Sequence, residues 1–182
     1  DQLRGVEGQA ARRYFEALGK LLGDEWGFSG RNRRPPRDPV NVLLSYGYAV
    51  LFQNVLTLLA RRGLNPHVGA LHAIASGRAA LACDLMEEFR PLIVDVVVLR
   101  CLLNKVVRPQ DFSHEEEGIP CRLGGEGKRR FVNALEEKLE ASLRHPVNQR
   151  QTDYRRAIAG QVTHWARCVT GEARAYHPFV LH

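Results

Sequence analysis

Near the N-terminus, apolar positions recur every three or four residues, at Val6, Ala10, Tyr14, Leu18 and Leu21. That spacing predicts a helix over about 3–22 with these residues inward, closed by Gly23 and Asp24. A second stripe, Leu43, Gly47, Val50, Asn54 and Leu58, with Leu44, Leu51 and Val55 beside it, predicts a longer helix to about Arg62. Asp38 can cap that helix with Pro39 at its first position. An amide on an inward stripe needs a partner, which makes Asn54 an unusual position.

After Gly63 the turn LNPHVG reverses the chain and delivers His72. Leu81, Ala82, Leu85, Met86 and Phe89 then mark a helix that meets Pro91, where it should kink or restart and continue to about Val107. The stretch from 109 to 130 is polar and weakly patterned, so it reads as a loop with a short β-hairpin near 110–124. Helical spacing returns over Phe131–Leu143. It appears again over Gln151–Val169, with Tyr154, Ile158, Gln161, Val162, Trp165 and Val169 inward. The tail from Gly171 looks irregular. The predicted fold is all-α, a single multi-helix domain over 1–182.

Charge and cysteine usage narrow the classes. The 182 residues carry a net charge of +6, which favours a polyanionic partner only mildly. Cys83, Cys101, Cys121 and Cys168 are scattered without a CxxC pair, and read as reduced thiols of a cytoplasmic protein. The expectation is no signal peptide and no apolar run near membrane-spanning length, since Asp95 and Arg100 interrupt the 92–103 stretch. In the loop GFSGRNRRPPRDP, Arg31, Arg33, Arg34 and Arg37 suit a phosphate grip, or simply a solvated connector.

The chemistry-bearing residues gather between Gly63 and Pro91. On a helix Asp84 shares a face with Glu87 and with Glu88. Like charges so placed repel one another, and a divalent cation held between carboxylates and the His72 imidazole would offset the repulsion. The bland account is a solvated acidic rim, with His72 a hydrogen-bonded core residue. Glu88, two residues before Arg90, reads as an ordinary surface charge. His114 with Glu115, Glu116 and Glu117 imitates a metal cluster, but an acidic loop accounts for it better.

The runs GLNPHVGALH and ALACDLMEEFRPLIVDVVV, with RRPPRDPVNVLLSYGYAVL upstream, resemble the C-terminal domain of the CRISPR-associated integrase family. LRGVEGQAARRYFEAL and YRRAIAGQVTHWARCVTGEARAYHPF fit too, so the resemblance runs from about Leu3 to Phe179. It implies a metal-dependent transesterification that joins the 3′-hydroxyl ends of spacer DNA into a CRISPR repeat, with Mg²⁺ or Mn²⁺ as cofactor. His72 and Glu87 would be ligands, and Asp84 would orient a ligand or water. It also implies a β-rich N-terminal domain that this chain lacks, so the chain reads as a fragment. The implied partners are DNA (spacer precursor and CRISPR repeat), a second copy forming a homodimer, and a small dimeric CRISPR adaptation protein bridging two dimers. No membrane is implied. Arg61, Arg62 and Arg78 join the loop arginines as DNA-binding candidates.

One residue departs from the pattern. The family places a third ligand, a glutamate, where this chain has Asn54. An amide oxygen is a neutral and weaker donor. Asp84 could move in, a partner or a DNA phosphate could complete the site, or catalysis could be lost. The alternatives to an integrase are therefore a metal-dependent DNA endonuclease and a non-catalytic DNA-binding scaffold.

Overall fold

A computed structural model describes residues 2–72, 77–113 and 121–181, with backbone only at 2–4 and 7. His114 and Glu115–Glu117 lie outside the described residues. The architecture is helical, as the periodicity predicts. The helices are α1 (Gln2–Leu22), α2 (Pro39–Arg61), α3 (Ala80–Glu87), α4 (Val96–Leu103), α5 (Gly125–Glu140) and α6 (Tyr154–Val169). The chain forms two compact units, 1–46 with 98–134, and 47–97 with 135–182.

In the first unit, α1 buries a different stripe from the predicted one. Val6, Tyr14 and Leu21 are 65%, 42% and 64% exposed, while Leu18 and Leu22 are buried. Phe15 meets Phe28 edge-on, and a Cβ on Gly19 would lie 3.2 Å from the Phe28 ring, so the packed face is 15/18/19/22. Spacing marks which residues share a face, but not which face finds a neighbour.

The arginine loop is tied down by one amide. Asp38 caps α2 as expected, its Oδ1 accepting from the Asn41 amide at 2.8 Å. The fully buried Asn41 accepts on Oδ1 from Arg31 Nη1 (2.7 Å) and Asn32 N (2.9 Å). Its Nδ2 donates to Gly30 O (2.8 Å) and Asp38 Oδ2 (2.7 Å). Arg31 also reaches Ser45 Oγ (3.0 Å), so this guanidinium serves the loop itself, whereas Arg33, Arg34 and Arg37 are exposed.

The expected hairpin is present, with β1 (Phe112–Ser113) pairing antiparallel to β2 (Arg122–Leu123). Beside it Asp111 accepts from Arg130 Nη2 at 2.6 Å and from Arg108 N at 2.7 Å. Burial opposes its ionisation, but Arg130 and the Arg108 amide outweigh that and hold the carboxyl below the usual range. Its contribution to stability is thus complete above about pH 4 and is lost as pH falls through the lowered value. Urea midpoints of the unaltered chain and Asp111→Asn should differ at pH 7 and converge only as the pH falls through the lowered Asp111 value.

In the second unit, α2 continues with Leu51, Val55 and Leu59 buried. The buried line therefore sits one position off the predicted stripe, and Asn54 is half-buried on the flank of the helix. By length and composition α2 could cross a membrane, contrary to the expectation that no run approaches that size. A core helix passes the same test, and here Val40, Leu43, Leu44, Leu51, Val55 and Leu59 are buried within the protein.

After α3, Arg90–Asp95 forms a π-helical segment with Pro91 as its second residue, and α4 follows directly. Proline has no N–H to give the preceding turn, so the ladder widens there. The Arg90 guanidinium lies 4.0 Å above the Tyr48 ring, and the Tyr48 hydroxyl donates to buried Asp95 at 2.6 Å. α4 ends at Leu103 rather than Val107, and Lys105 takes a left-handed φ of 54°.

The helix expected over 131–143 runs over 125–140 instead. Beyond it, β3 (Ser142–Arg144) pairs with β4 (Gln151–Asp153) in a second hairpin that the sequence did not suggest. Strands of three residues are too short to show an alternation. Asp153 then caps α6, accepting from Arg156 N at 2.7 Å. On α6 Tyr154, Ile158, Gln161 and Val162 are buried as expected, while Val169 is 64% exposed.

Candidate functional site

Glycine permits the turn that carries His72. A Cβ on Gly69 would lie 2.6 Å from Asp84 Oδ2 and 2.9 Å from the Ala80 backbone, so only a bare backbone passes so close to α3. The loop then wraps the Asp84 carboxylate. Oδ2 accepts from Ala70 N (2.6 Å) and Leu71 N (3.0 Å), and Oδ1 accepts from His72 N at 2.9 Å. The His72 ring donates from Nδ1 to Oδ1 at 2.6 Å. Burial alone would raise the Asp84 pKa, but the amides of 70–72 and the His72 ring together lower it. Asp84 is thus an ionised, 8%-exposed anchor.

That contact fixes a tautomer. With Nδ1–H held on a carboxylate, the neutral ring carries its lone pair on Nε2, the arrangement in which imidazole binds a metal ion or takes a proton. Both Asp84 oxygens are already committed to the loop. The suggestion that Asp84 replaces a missing ligand is therefore hard to sustain.

Glu87, the last residue of α3, is exposed and pairs with Arg90. Burial opposes the charge on Arg90, but Glu87 and Tyr48 outweigh it and raise the pKa above the usual guanidinium value. Asn54 donates from Nδ2 to Val50 O at 2.9 Å and accepts on Oδ1 from Arg155 Nη1 at 3.2 Å, while Arg155 also pairs with Glu136. His72 and Asp84 are therefore joined directly, Glu87 is engaged by Arg90, and Asn54 by Arg155. Among the described residues no three His, Cys, Asp or Glu side chains group as a metal site.

Of the further basic candidates, Arg61 and Arg62 line a cavity of about 380 Å³ with Leu58, Ala159, Val162 and Thr163, and Arg62 donates to Thr163 Oγ1 at 2.8 Å. Arg78 is exposed, and its carbonyl meets His67 Nδ1 at 2.9 Å. Cys101 and Cys121 are buried, Cys83 and Cys168 half-buried, and the four form no disulfide among the described residues. Burial, with Asp38 nearby, pushes the Cys121 thiol up to about 11.

Glu88 is not the surface charge that the sequence suggested. Its carboxylate accepts from Tyr176 OH, from Gln161 Nε2 (2.9 Å) and from Phe179 N (2.7 Å). Burial and Glu88 raise the Tyr176 pKa far above the usual phenol value, so the hydroxyl stays a donor. Nothing in the local sequence marks these partners, which lie 73 to 91 residues away. Arg155 was missed for the same reason. It sits 101 residues from Asn54.

Residues 1–137 match the family model described as "CRISPR associated protein Cas1". The chain is 42% identical over 181 residues to CRISPR-associated endonuclease Cas1 3 of Thermus thermophilus, covering 100% of this chain and 54% of that protein. Among solved structures, it resembles a casposase bound to integration product, with a TM-score of 0.87 and 30% identity over 97% of this chain and 50% of the other. It also resembles a chain of a Cas6-RT-Cas1–Cas2 complex, with a TM-score of 0.82 and 28% identity over 98% of this chain and 19% of the other. The chain belongs to the CRISPR-associated Cas1 family. It spans about half the length of the first of these relatives.

Proposed function

We propose that this chain is the helical domain of a CRISPR adaptation integrase, which joins 3′-hydroxyl ends of spacer DNA into a repeat. The observation that carries the reading is the His72 ring held through Nδ1 on ionised Asp84, with Nε2 left for a ligand. Likeness to a casposase bound to integration product supports joining chemistry, and likeness to a Cas1–Cas2 complex chain supports assembly with Cas proteins. Under this reading the protein acts as a homodimer, bridged by a small dimeric CRISPR adaptation protein.

The donor set fits a hard cation such as Mg²⁺ or Mn²⁺ at two positions, His72 Nε2 and the Glu87 carboxylate. The third, Asn54, offers only a neutral oxygen already engaged by a guanidinium. A bound cation would supply charge for the phosphoryl and leaving oxygens and lower the pKa of the attacking hydroxyl. Asp84 fixes the His72 tautomer, and Arg90 holds Glu87 until a stronger partner competes. Exposed Arg33, Arg34 and Arg37 suit phosphate contacts.

The Asn54–Arg155 contact favours a second reading, a DNA-binding scaffold with weak or no chemistry. Labelled DNA with a 3′-hydroxyl, mixed with a repeat-bearing plasmid and Mn²⁺ or EDTA, separates the readings. Metal-dependent strand joining supports the integrase. Cleavage without joining indicates the endonuclease, and salt-sensitive binding without metal-stimulated chemistry the scaffold. Asn54→Glu should raise joining by about 10–100-fold, the scale on which ligand-shell changes act. Activity only in that variant would favour the scaffold for the natural chain.

A further inference from the structure

We infer that Glu88 is a positioning residue: through its carboxylate the C-terminal strap, residues 173–179, grips the end of α3 and sets where Glu87 points. The inference rests on the reading of Glu87 as a site residue. α3 has only eight residues, a length at which a helix has little stability of its own and its last turn depends on what holds it. Glu87 occupies that last turn, and Glu88 follows it.

The grip is specific. One carboxylate accepts three donors from distant chain, namely the Tyr176 hydroxyl, Gln161 Nε2 at 2.9 Å and the Phe179 amide at 2.7 Å. Those donors are themselves fixed. The Tyr176 ring stacks on His164 (5.3 Å) and meets Trp165 edge-on (5.2 Å), and Gln161 Nε2 also reaches His177 O at 3.0 Å. The next residue repeats the docking in apolar form, because buried Phe89 stacks on Phe179 at 5.2 Å. One residue further on, Arg90 is set over Tyr48. The backbone that follows Glu87 is anchored through these neighbours, while Glu87 itself is exposed and paired with Arg90. A carboxylate suits this place because it can accept all three bonds; an apolar residue would take this acceptor away from the Tyr176 hydroxyl and the Phe179 N–H, while Gln161 Nε2 would keep Tyr176 OH and His177 O.

The test compares Glu88→Ala, Glu88→Gln, Tyr176→Phe and the Glu88→Ala/Tyr176→Phe double variant. It reads amide hydrogen exchange by segment, Mn²⁺ affinity by electron paramagnetic resonance, and melting temperature. In Glu88→Ala, residues 85–90 and 173–179 should exchange at least about tenfold faster, while residues 43–55 stay protected. Mn²⁺ affinity should fall about 10–100-fold. Glu88→Gln should recover most of both, since its oxygen still serves Gln161 and Phe179 and its amide can donate to the Tyr176 oxygen. Tyr176→Phe should show the effect in milder form and add little to Glu88→Ala, because both break one network. A lowered melting temperature with unchanged exchange at 85–90 and unchanged Mn²⁺ affinity would overturn the inference. If the unaltered chain binds no Mn²⁺, the metal reading fails. Exchange at 85–90 then decides the positioning claim alone: faster exchange upholds it and unchanged exchange overturns it. Should Glu88→Ala fail to fold, Tyr176→Phe, which removes one hydroxyl, decides in the same way.

Discussion

Asp84→Ala should be among the most damaging single substitutions in this chain, costing about 3 kcal/mol of stability and abolishing any chemistry that depends on His72. The carboxylate accepts from three successive backbone amides, those of Ala70, Leu71 and His72, and from the His72 ring. Removing it leaves four donors around a cavity, with only water to replace a charged acceptor. Bonds to charged groups contribute about 1.5–3 kcal/mol each when buried; these are partly solvated, so the sum stays well below the simple total. The loop should loosen as a whole, because Gly69 passes α3 too closely for the chain to resettle without moving. Chemical denaturation would read the stability, and exchange at residues 69–72 should rise far above the global rate. Asp84→Asn should cost less than Asp84→Ala: it can still accept, but with one oxygen instead of two and without the charge that holds the His72 tautomer. If Asp84→Ala left both stability and exchange unchanged, the loop would be held by something other than this carboxylate.

Asn41→Ala is the second large expected effect, at about 3 kcal/mol. Its side chain is fully buried and serves both sides of the arginine loop, accepting from Arg31 and Asn32 N and donating to Gly30 O and Asp38. No other residue type of that size both donates and accepts in one plane. Asn41→Asp should cost nearly as much, because the new oxygen would face Asp38 Oδ2 where an N–H now lies 2.7 Å away. The loss should also weaken DNA binding if exposed Arg33, Arg34 and Arg37 grip phosphates, since an untethered loop must be ordered on binding. Thermal melts paired with filter binding at two salt concentrations would separate these contributions. An unchanged melting temperature would show that the loop does not depend on Asn41.

Both expectations concern polar groups that the helical pattern left unexplained. Periodicity located α1, α2, α3 and α6 to within a few residues, because a face of apolar side chains leaves a mark at every third or fourth position. Caps were legible for a similar reason. Asp38 before Pro39 is a local arrangement, and its bond to the Asn41 amide spans three residues. The hairpin near 110–124 followed from a break in pattern, whereas β3 and β4 left none.

His72, Asp84, Glu87 and Asn54 stand out in the sequence itself, and the motifs around them point to the family to which the chain belongs. The contacts of these residues were not legible. Asp84 serves as an anchor for three amides, Asn54 lies against Arg155, and Glu88 holds the tail rather than solvent.

The order of residues along the chain was enough to reveal the helices, the caps and the family, since each rests on neighbours within about a turn or on motifs read in sequence. Which face of α1 is covered, what the acid beside Phe89 holds and what stands next to Asn54 were decided only once the chain had closed on itself. The contacts of Glu88 and Asn54 join residues 73 to 101 positions apart. A hydrogen bond of that kind depends on two side chains arriving at one point in space, and no local pattern records it.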